Sequence, residues 1–418
     1  MNPVHTNGTL TATMVRNLCL AQEHYVRHHK SRHWDIFPPD FADRVSNSNL
    51  WPEFRNNGLS SGFDAGRRAA GQTGPFINNS PAMKKSVEER YWSLVTRTGR
   101  PFIETYGECR IGNPVRTEID GLQINPTDLR LLHDAWQVNQ LLHDQPHEEL
   151  CLIDIGGGFG GAAAKYKRLF PKARVLIFDL PEVNVAQTYY LSTLFPSADI
   201  LTFEQYVADP SRLAARAFDF AILPGWCIAD VPPATADAIV NTRSMMEMDP
   251  ETIQFYFDHI QRICREDGLF YCVNRYYKDT VGQAIRIKDY PFDDRWIARL
   301  SQPAWDQPWI HELAVIRTPW PVAYPVSSLL DKLPPRQWDE VAVALRRVGD
   351  VLRIKLLGDH IMITPGPHHR AILFWKRFRH DSVKWAHDIP AVKAVLRPLY
   401  RGLRAILKLF QRSTAPRT

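Results

Sequence analysis

The chain has 418 residues, of which 44% are hydrophobic and 23% are charged, and its formal net charge is +6. This is the composition of a globular protein, and the length allows two or three hydrophobic cores. No apolar run reaches the roughly 18 residues that a membrane-spanning helix needs, and residues 1–15 lack the charged and apolar regions of a signal peptide. The six Cys show no CxxC spacing, which favours reduced thiols and a cytoplasmic location over a disulfide framework or a zinc site.

Residues 1–125 are predicted to form a mainly helical region. A stretch rich in Gly, Asn, Ser and Ala interrupts it and predicts a loop at about residues 56–81. The same region carries a basic patch of His24, His28, His29 and His33. Because no carboxylate or Cys completes a ligand set, a solvated helix face explains the patch better than a metal site, and we predict no metal.

From residue 149 onward, short apolar runs alternate with helical patterns. The predicted strands are residues 151–155, 175–178, 218–223, 238–241, 269–273 and 310–316. The predicted helices are residues 161–169, 182–194 and 249–266. This order predicts an α/β fold with a Rossmann-like, doubly wound, mostly parallel sheet, which residues 295–300 and 310–317 close as an antiparallel hairpin. We assign residues 126–325 to this domain and residues 326–418 to a C-terminal extension.

A glycine-rich turn follows the first of these strands. Residues 151–161 read CLIDIGGGFGG, and Asp179 ends the second strand. A glycine turn after one strand and an acid at the end of the next are typical of a nucleotide-cofactor site. Two cofactor patterns fit the turn: Gly156, Gly158 and Gly161 match the GxGxxG of NAD enzymes, and Gly156, Gly158 and Gly160 match the GxGxG of S-adenosylmethionine enzymes.

Asp154 favours the methyl donor. It stands two residues before the first glycine, where dinucleotide folds usually carry an apolar residue. A carboxylate there can accept a hydrogen bond from the α-amino group of a methionine moiety, directly or through water. Asp179 is placed for ribose hydroxyls with either cofactor. The residues therefore favour S-adenosyl-L-methionine and leave NAD as the alternative.

Four segments in this order, CLIDIGGGFGG, VLIFDLPEV, IVNTRSMMEM and GLFYCVNRYY, resemble the sugar O-methyltransferase family of bacteria. These are class I, Rossmann-like, S-adenosylmethionine-dependent enzymes linked to surface-glycan biosynthesis. The resemblance covers roughly residues 105–325 and includes the lead-in RTEIDGLQINPTDLRLL. The DLPEV stretch is also similar to the DLP motif of small-molecule O-methyltransferases that act on phenols, so the acceptor class stays open.

The resemblance implies roles for particular residues. The implied cofactor contacts are Asp154, Gly156, Gly158, Gly160, Asp179, Leu180 and Asn241, the last of which would border the reacting methyl group. Glu247, Asn274 and Arg275 would line the acceptor side. The implied acceptor is a sugar or a glycolipid.

Glu247 is our choice for the catalytic base. A sugar hydroxyl is a weak acid, so a general base should take its proton as the new bond forms, and Glu247 is the acid on the loop after the predicted strand 238–241. The alternative is that Glu247 stabilises the start of the following helix. Asn274 and Arg275 follow the next strand at the same sheet edge. Amide and guanidinium groups suit sugar hydroxyls, and Arg also suits a phosphate or carboxylate.

The C-terminal extension is basic. Between residues 390 and 412 apolar and basic positions fall on different faces of a predicted helix. Such a helix can lie on an anionic membrane, which would place the enzyme peripherally at the inner face of a membrane, near lipid-linked glycans. Docking onto a protein surface is the alternative, and no recognised motif suggests a nucleic-acid partner.

The sequence therefore predicts an S-adenosylmethionine-dependent O-methyltransferase that acts on a sugar hydroxyl. Three alternatives remain at this point: a phenol or polyketide O-methyltransferase, an NAD-dependent oxidoreductase, and a non-catalytic membrane-associated binding protein.

Overall fold

The computed structural model describes residues 3–25, 40–57, 59, 74–107, 110–143, 149–278, 284–307 and 309–333, together with the backbone of residues 352–357 and 360–365. By its internal contacts the chain divides into two compact units, Met1–Pro334 and Pro335–Thr418. Within the described ranges, no helix is long and apolar enough to cross a membrane, and no group of three or more His, Cys, Asp or Glu could hold a metal ion.

The N-terminal region is mainly helical, as predicted. Its elements are α1 (Pro3–Glu23), α2 (Phe41–Ser46), a 3₁₀ helix (Ser48–Glu53), α3 (Pro81–Thr98), α4 (Arg100–Tyr106) and α5 (Pro126–Leu141). The starts of α3 and α5 follow the same rule: the side chain of Ser80 or Asn125 accepts a hydrogen bond from a first-turn backbone N–H, and a proline follows it. Both features favour a helix start.

The segment between α4 and α5 is more regular than the sequence suggested. β1 (Thr117–Ile119) and β2 (Leu122–Ile124) pair as a short antiparallel hairpin. Asp120 and Gly121 both have positive φ at its tip, the backbone that a two-residue hairpin turn requires. The centre of the predicted loop at 56–81 lies outside the described residues, as do His28, His29 and His33.

The rest of the first unit is built on one sheet. Its strands are β3 (Cys151–Ile155), β4 (Arg174–Asp179), β5 (Ile200–Leu201), β6 (Phe220–Pro224), β7 (Ala236–Thr242), β8 (Cys264–Arg275), β11 (Trp296–Pro303) and β12 (Ile310–Arg317); β9 (Tyr277–Lys278) and β10 (Ile285–Arg286) form a separate pair. The connecting helices are α6 (Gly161–Leu169), α7 (Pro181–Leu194), α8 (Phe203–Ala208), α9 (Ser211–Ala215), α10 (Pro250–Ile263) and, after the sheet, α11 (Val326–Leu330).

The sheet has the predicted doubly wound topology. Its strand order is β11-β12-β8-β7-β3-β4-β6-β5. The pairs from β8 to β5 are parallel, whereas β12 runs antiparallel to both β8 and β11. The predicted antiparallel closing hairpin is therefore confirmed, and so is the mostly parallel α/β fold.

One predicted boundary is wrong. The helix expected at 249–266 ends at Ile263, and Cys264 already begins β8 by pairing with Ala236. Three of the next residues, Arg265, Glu266 and Asp267, have the polar character of a helix end, but Asp267 has φ +59°, which no α-helix contains. Pairing with a strand distant in sequence decides this boundary, and local periodicity does not report it.

The two faces of the sheet are covered by different helices. Ile153 and Ile155 pack in one core cluster with Phe257 and Ile260 of α10. Because side chains alternate along a strand, the intervening Asp154 lies on the other face, near residues of α5 and α6. The second unit contains a described antiparallel hairpin, β13 (Leu352–Leu357) with β14 (His360–Pro365), and the predicted amphipathic helix at 390–412 lies outside the described residues.

Candidate functional site

The glycine turn leaves β3 at the point where the strand order reverses. The strands that follow β3 most closely in sequence, β4 to β6, lie on one side of it, and β7 and β8 lie on the other. In open α/β sheets the carboxyl ends of the strands form a ligand-binding crevice at such a switch point. The predicted site residues follow β3, β4, β7 and β8 at this edge, so the fold gathers them into one region.

The turn needs its glycines. Gly156, Gly158 and Gly160 have φ angles of +71°, +59° and +92°, in the left-handed region that favours residues without a Cβ. Space is a second reason at Gly156, because a Cβ there would lie 2.2 Å from the side-chain oxygen of Ser244. Backbone rather than side chains therefore faces the crevice at this point.

Asp154 is a buried acid with an unused oxygen. Its side chain is 1% exposed, and Oδ2 has no hydrogen-bond partner among the described residues. Burial, followed by the charges of Asp179 and Asp134, raises the pKa of Asp154 to about 8. An unpaired buried carboxylate is costly, and the α-ammonium of a methionine moiety would satisfy it. A pyrophosphate would add negative charge beside it, so the site fits S-adenosylmethionine better than NAD.

Asp179 is tied to the glycine turn. Its Oδ1 accepts a hydrogen bond from Leu180 N at 2.8 Å, and its Oδ2 accepts from Gly158 N at 3.2 Å and from Gln187 Nε2 at 2.8 Å. Burial raises the pKa of Asp179 to about 7, and these hydrogen bonds oppose the rise. The carboxylate keeps acceptor capacity for a ribose hydroxyl, because two oxygens offer about four lone-pair sites.

Gln187 is a residue of this site that the sequence did not reveal. Its side-chain amide donates to Asp179 Oδ2 and also to Gly158 O at 2.7 Å. Both amide protons are therefore used to hold the turn against the end of β4. The sequence signal is absent because Gln187 lies in the middle of α7 and its role depends on how that helix packs.

Asn241 and Asn274 hold the loop that follows β7. Asn241 donates to Ile155 O at 2.9 Å and accepts from Asn274 Nδ2 at 2.8 Å. Asn274 also accepts from Met246 N at 3.0 Å. Both side chains are fully buried. In this structure they clamp the loop after β7 onto β3 and β8, and their predicted roles beside the methyl group and the acceptor stay predictions.

Glu247 and Arg275, which the sequence predicts to line the acceptor side, lie after β7 and at the end of β8. Glu247 ends a 3₁₀ turn, Met245–Glu247, and its Oε1 lies 3.2 Å from the Nζ of Lys278. The N-cap position of α10 is Asp249, close after Glu247 in sequence, so the predicted alternative of a role at the helix start stays open beside the ion pair. Arg275 ends β8 and is partly exposed.

Lys278 was also missed by the sequence reasoning. It is 7% exposed. Burial lowers the pKa of Lys278 and the charge of Arg275 adds to this, whereas Glu247 opposes it. Only the pairing of the chain beyond β8 brings this lysine back to the loop of Glu247, 31 residues away in sequence.

A second polar cluster lies beneath α5. Tyr271 on β8 donates to Glu312 on β12 at 2.7 Å and lies 3.4 Å from Asp134 on α5. His133 is 1% exposed, and neither ring nitrogen has a hydrogen-bond partner among the described residues. An Asp-His pair inside a predicted helix gave no sequence signal, because the cluster depends on contacts across three elements.

Comparison with known proteins addresses the cofactor half of the site. Residues 96–205 match the family model of the O-methyltransferase domain. This stretch contains the glycine turn and Asp179 but ends before Glu247. A comparison with curated proteins gives no match.

Several solved methyltransferase structures resemble this chain, but with low TM-scores. A protein described as a sarcosine dimethylglycine methyltransferase of Galdieria sulphuraria is 10% identical over 46% of this chain and 88% of its own, with a TM-score of 0.35. Mitomycin 7-O-methyltransferase is 14% identical over 57% and 69%, with a TM-score of 0.30. Geranyl diphosphate C-methyltransferase of Streptomyces coelicolor is 13% identical over 46% and 81%, also at 0.30. Scores of this size carry no argument about function.

The assignment rests instead on the family match and on the turn it contains. The orphaned oxygen of Asp154, the glycine backbone and the acid at the end of β4 all fit a methionine-bearing nucleoside. Residues 96–205 thus carry an O-methyltransferase domain, and the protein is an S-adenosylmethionine-dependent methyltransferase.

Proposed function

We propose that this enzyme transfers the methyl group of S-adenosyl-L-methionine to a hydroxyl group of a sugar, in a glycan or a glycolipid. The observation that carries the proposal is the charged acceptor side, where Glu247, Lys278 and Arg275 lie together after β7 and β8. A phenol or polyketide acceptor would call for a largely apolar wall at this place. A polyhydroxylated acceptor instead matches side chains that donate and accept hydrogen bonds.

Each residue has a role in this proposal. The cofactor supplies a methyl group on a sulfonium, which is already activated, so that much of the catalysis is positioning. Asp154 holds the α-ammonium group and Asp179 holds the ribose. Glu247 accepts the proton of the sugar hydroxyl as the oxygen forms its bond to carbon. Asn241 and Asn274 fix the backbone of the Glu247 loop and thereby the position of the base.

The test of the base is Glu247→Gln. We expect methyl transfer to a mixture of sugar acceptors to fall at least a hundredfold, because general-base assistance is worth about 10²–10⁴ in rate. The affinity for S-adenosylhomocysteine, measured by calorimetry, should not change. Glu251→Gln is the matched control, an exposed glutamate in the first turn of α10, and it should leave both quantities unchanged.

Other outcomes would contradict parts of the proposal. Wild-type turnover in Glu247→Gln would remove the residue from catalysis. Methylation of phenols but not of sugars would replace the acceptor class while keeping the reaction.

We also propose that residues 390–412 bind an anionic membrane surface at the cytoplasmic face. Their alternation of apolar and basic residues supports this, and it would bring the enzyme to lipid-linked glycans.

A further inference from the structure

The acceptor side of the site holds more positive than negative charge. Lys278 is almost fully buried and pairs with Glu247. Arg275 ends β8 and Lys278 ends β9, three residues later; burial lowers the pKa of Lys278, and the charge of Arg275 adds to this. Among the described residues, Lys278 is therefore paired with the Glu247 carboxylate, and Arg275 has no carboxylate of its own. A buried or half-buried surplus charge is unfavourable unless another group compensates it.

The hydrogen-bond donors of this group are also in surplus. The guanidinium of Arg275 has five N–H donors, yet its side chain donates no hydrogen bond to the described residues, and its buried Nε has no partner there. The ammonium of Lys278 has three donors, of which Glu247 takes one. Within the part of the chain that the structure describes, the donors of this group therefore outnumber the negatively charged acceptor atoms.

Two neighbouring arginines differ from Arg275 because their terminal guanidinium nitrogens donate to carboxylates. Arg243 donates to Gln307 at 2.8 Å and to Asp306 at 2.9 Å. Arg286, on the strand that pairs with Lys278, donates to Asp289 at 3.1 Å. Each of these two arginines has a carboxylate partner within the protein, whereas the guanidinium of Arg275 has none among the described residues.

The group is placed where an acceptor has to lie. Arg275 directly follows Asn274, whose amide bonds Asn241, and Asn241 donates to Ile155 O at the start of the glycine turn. Only β7 separates the turn from β8. An anion on Arg275 would therefore lie on the same sheet edge as the cofactor, next to the proposed base Glu247.

We propose that Arg275 and Lys278 form a subsite for an oxyanion of the acceptor, so that the sugar carries a phosphate or a carboxylate. This rests on the proposed transfer to a sugar hydroxyl and specifies its substrate class. A guanidinium presents two parallel N–H groups to two oxygens of a phosphate or carboxylate, and such charge-assisted pairs are about twice as strong as neutral hydrogen bonds. A phosphate would come from a nucleotide-linked or lipid-linked sugar, and a carboxylate from a sugar acid.

The test is calorimetric titration of the full chain saturated with S-adenosylhomocysteine. The probes are glucose 1-phosphate, glucuronate and methyl glucoside, which differ in the presence and type of anion. We expect at least one anionic probe to bind at least tenfold more tightly than methyl glucoside. Tighter binding of glucose 1-phosphate assigns the subsite to phosphate, and tighter binding of glucuronate assigns it to carboxylate.

Two variants locate the subsite. Arg275→Gln and Lys278→Gln should each lower the affinity for the anionic probe at least tenfold, and Arg286→Gln, the paired neighbour, should leave it unchanged. Equal binding of all three probes, no binding of either anion at millimolar concentration, or unchanged anion affinity in Arg275→Gln would overturn the proposal. The affinity for S-adenosylhomocysteine serves as the check on folding in every variant, and its absence in the wild type would count against the methyltransferase function instead.

Discussion

Asp154 should make the unliganded protein less stable as the pH rises. Its carboxyl is 1% exposed, and burial with the nearby acids raises its pKa from 3.8 to about 8. When folding raises the pKa of a group, that group stabilises the folded protein fully at a pH below its pKa in the unfolded chain. The stabilisation is lost as the pH rises towards its pKa in the folded protein. Each pH unit in this window corresponds to about 1.4 kcal/mol. Between pH 3.8 and pH 7 the free energy of unfolding should therefore fall by about 4 kcal/mol at most.

Asp154→Asn removes this titration with little change of shape. Near pH 3 the two proteins should unfold with similar free energies, because both side chains are neutral. At pH 7 the variant should be more stable by up to about 4 kcal/mol. Urea denaturation of both proteins at pH 4, 5, 6, 7 and 8, without cofactor, measures the difference directly. A variant that is less stable than wild type at pH 7 would refute the account of Asp154 as an unpaired buried acid.

Asp219 provides a control of opposite sign. Burial raises the pKa of Asp219, but the hydrogen bond from Lys167 and further donors and charges outweigh it, so the pKa is lowered overall. The Asp219 carboxylate therefore stabilises the folded protein at a pH above its pKa in the unfolded chain, and this stabilisation is lost as the pH falls. Asp219→Asn should therefore be less stable than wild type at pH 7, with a gap that narrows towards pH 3.

The affinity for the cofactor should also depend on the ionisation of Asp154. The ionised fraction of a group with a pKa of about 8 rises about tenfold per pH unit below that value, and the affinity of a ligand that needs this form rises with it. Between pH 5.5 and 7 an α-ammonium stays mostly protonated. The affinity for S-adenosylhomocysteine should therefore rise about tenfold per pH unit through Asp154. Asp154→Asn should weaken binding and reduce this slope; an equal slope in both proteins would contradict the assigned contact.

The remaining predictions concern the turn, the loop clamp and the C-terminal extension. Gly156→Ala should abolish cofactor binding because the new Cβ meets Ser244, whereas Gly121→Ala, with a similar φ of +77° but open space, should cost only about 1–2 kcal/mol of unfolding free energy. Asn274→Leu should lower turnover while cofactor affinity, measured by calorimetry, stays within about threefold, since it releases the loop of Glu247 and not the turn. Removal of residues 390–418 should end co-sedimentation with anionic vesicles; persistent binding would place any membrane contact elsewhere.

The sequence predicted the parts of this fold that depend on local patterns. The apolar run 151–155 is β3 without change of bounds, and the hairpin expected from 295–300 and 310–317 closes the sheet. Such segments are predictable because an apolar strand core and the turns beside it leave the same period in the sequence. The glycine turn was predictable for the same reason, since its backbone conformation restricts the residue type at each position.

The contacts around Glu247 and Asn274 could not be predicted in this way. Lys278 meets Glu247 only because the chain returns after β8. Asn274, predicted to follow a strand, lies within β8, and its side chain is fully buried against Asn241. A contact between side chains that lie 30 or more residues apart produces no periodic pattern in the sequence. Such a contact depends on the strand order. The strand order determines which strands are neighbours, but it does not determine which of their polar side chains form hydrogen bonds.

The two halves of the sheet edge hold acidic and basic side chains respectively, and this bears on the proposed reaction. Asp154 and Asp179 lie at the ends of β3 and β4, where we propose that the cationic cofactor binds, and Arg275 and Lys278 lie beyond β7. Methyl transfer from a sulfonium to a hydroxyl, with the proton passing to Glu247, converts one cation and one anion into two neutral groups. Water stabilises the separated ions more than the neutral products, so a crevice that excludes water favours the forward step. An acceptor whose own anion pairs with Arg275 would leave no surplus charge there, so that the sulfonium and the carboxylate of Glu247 are the two charges that the reaction removes.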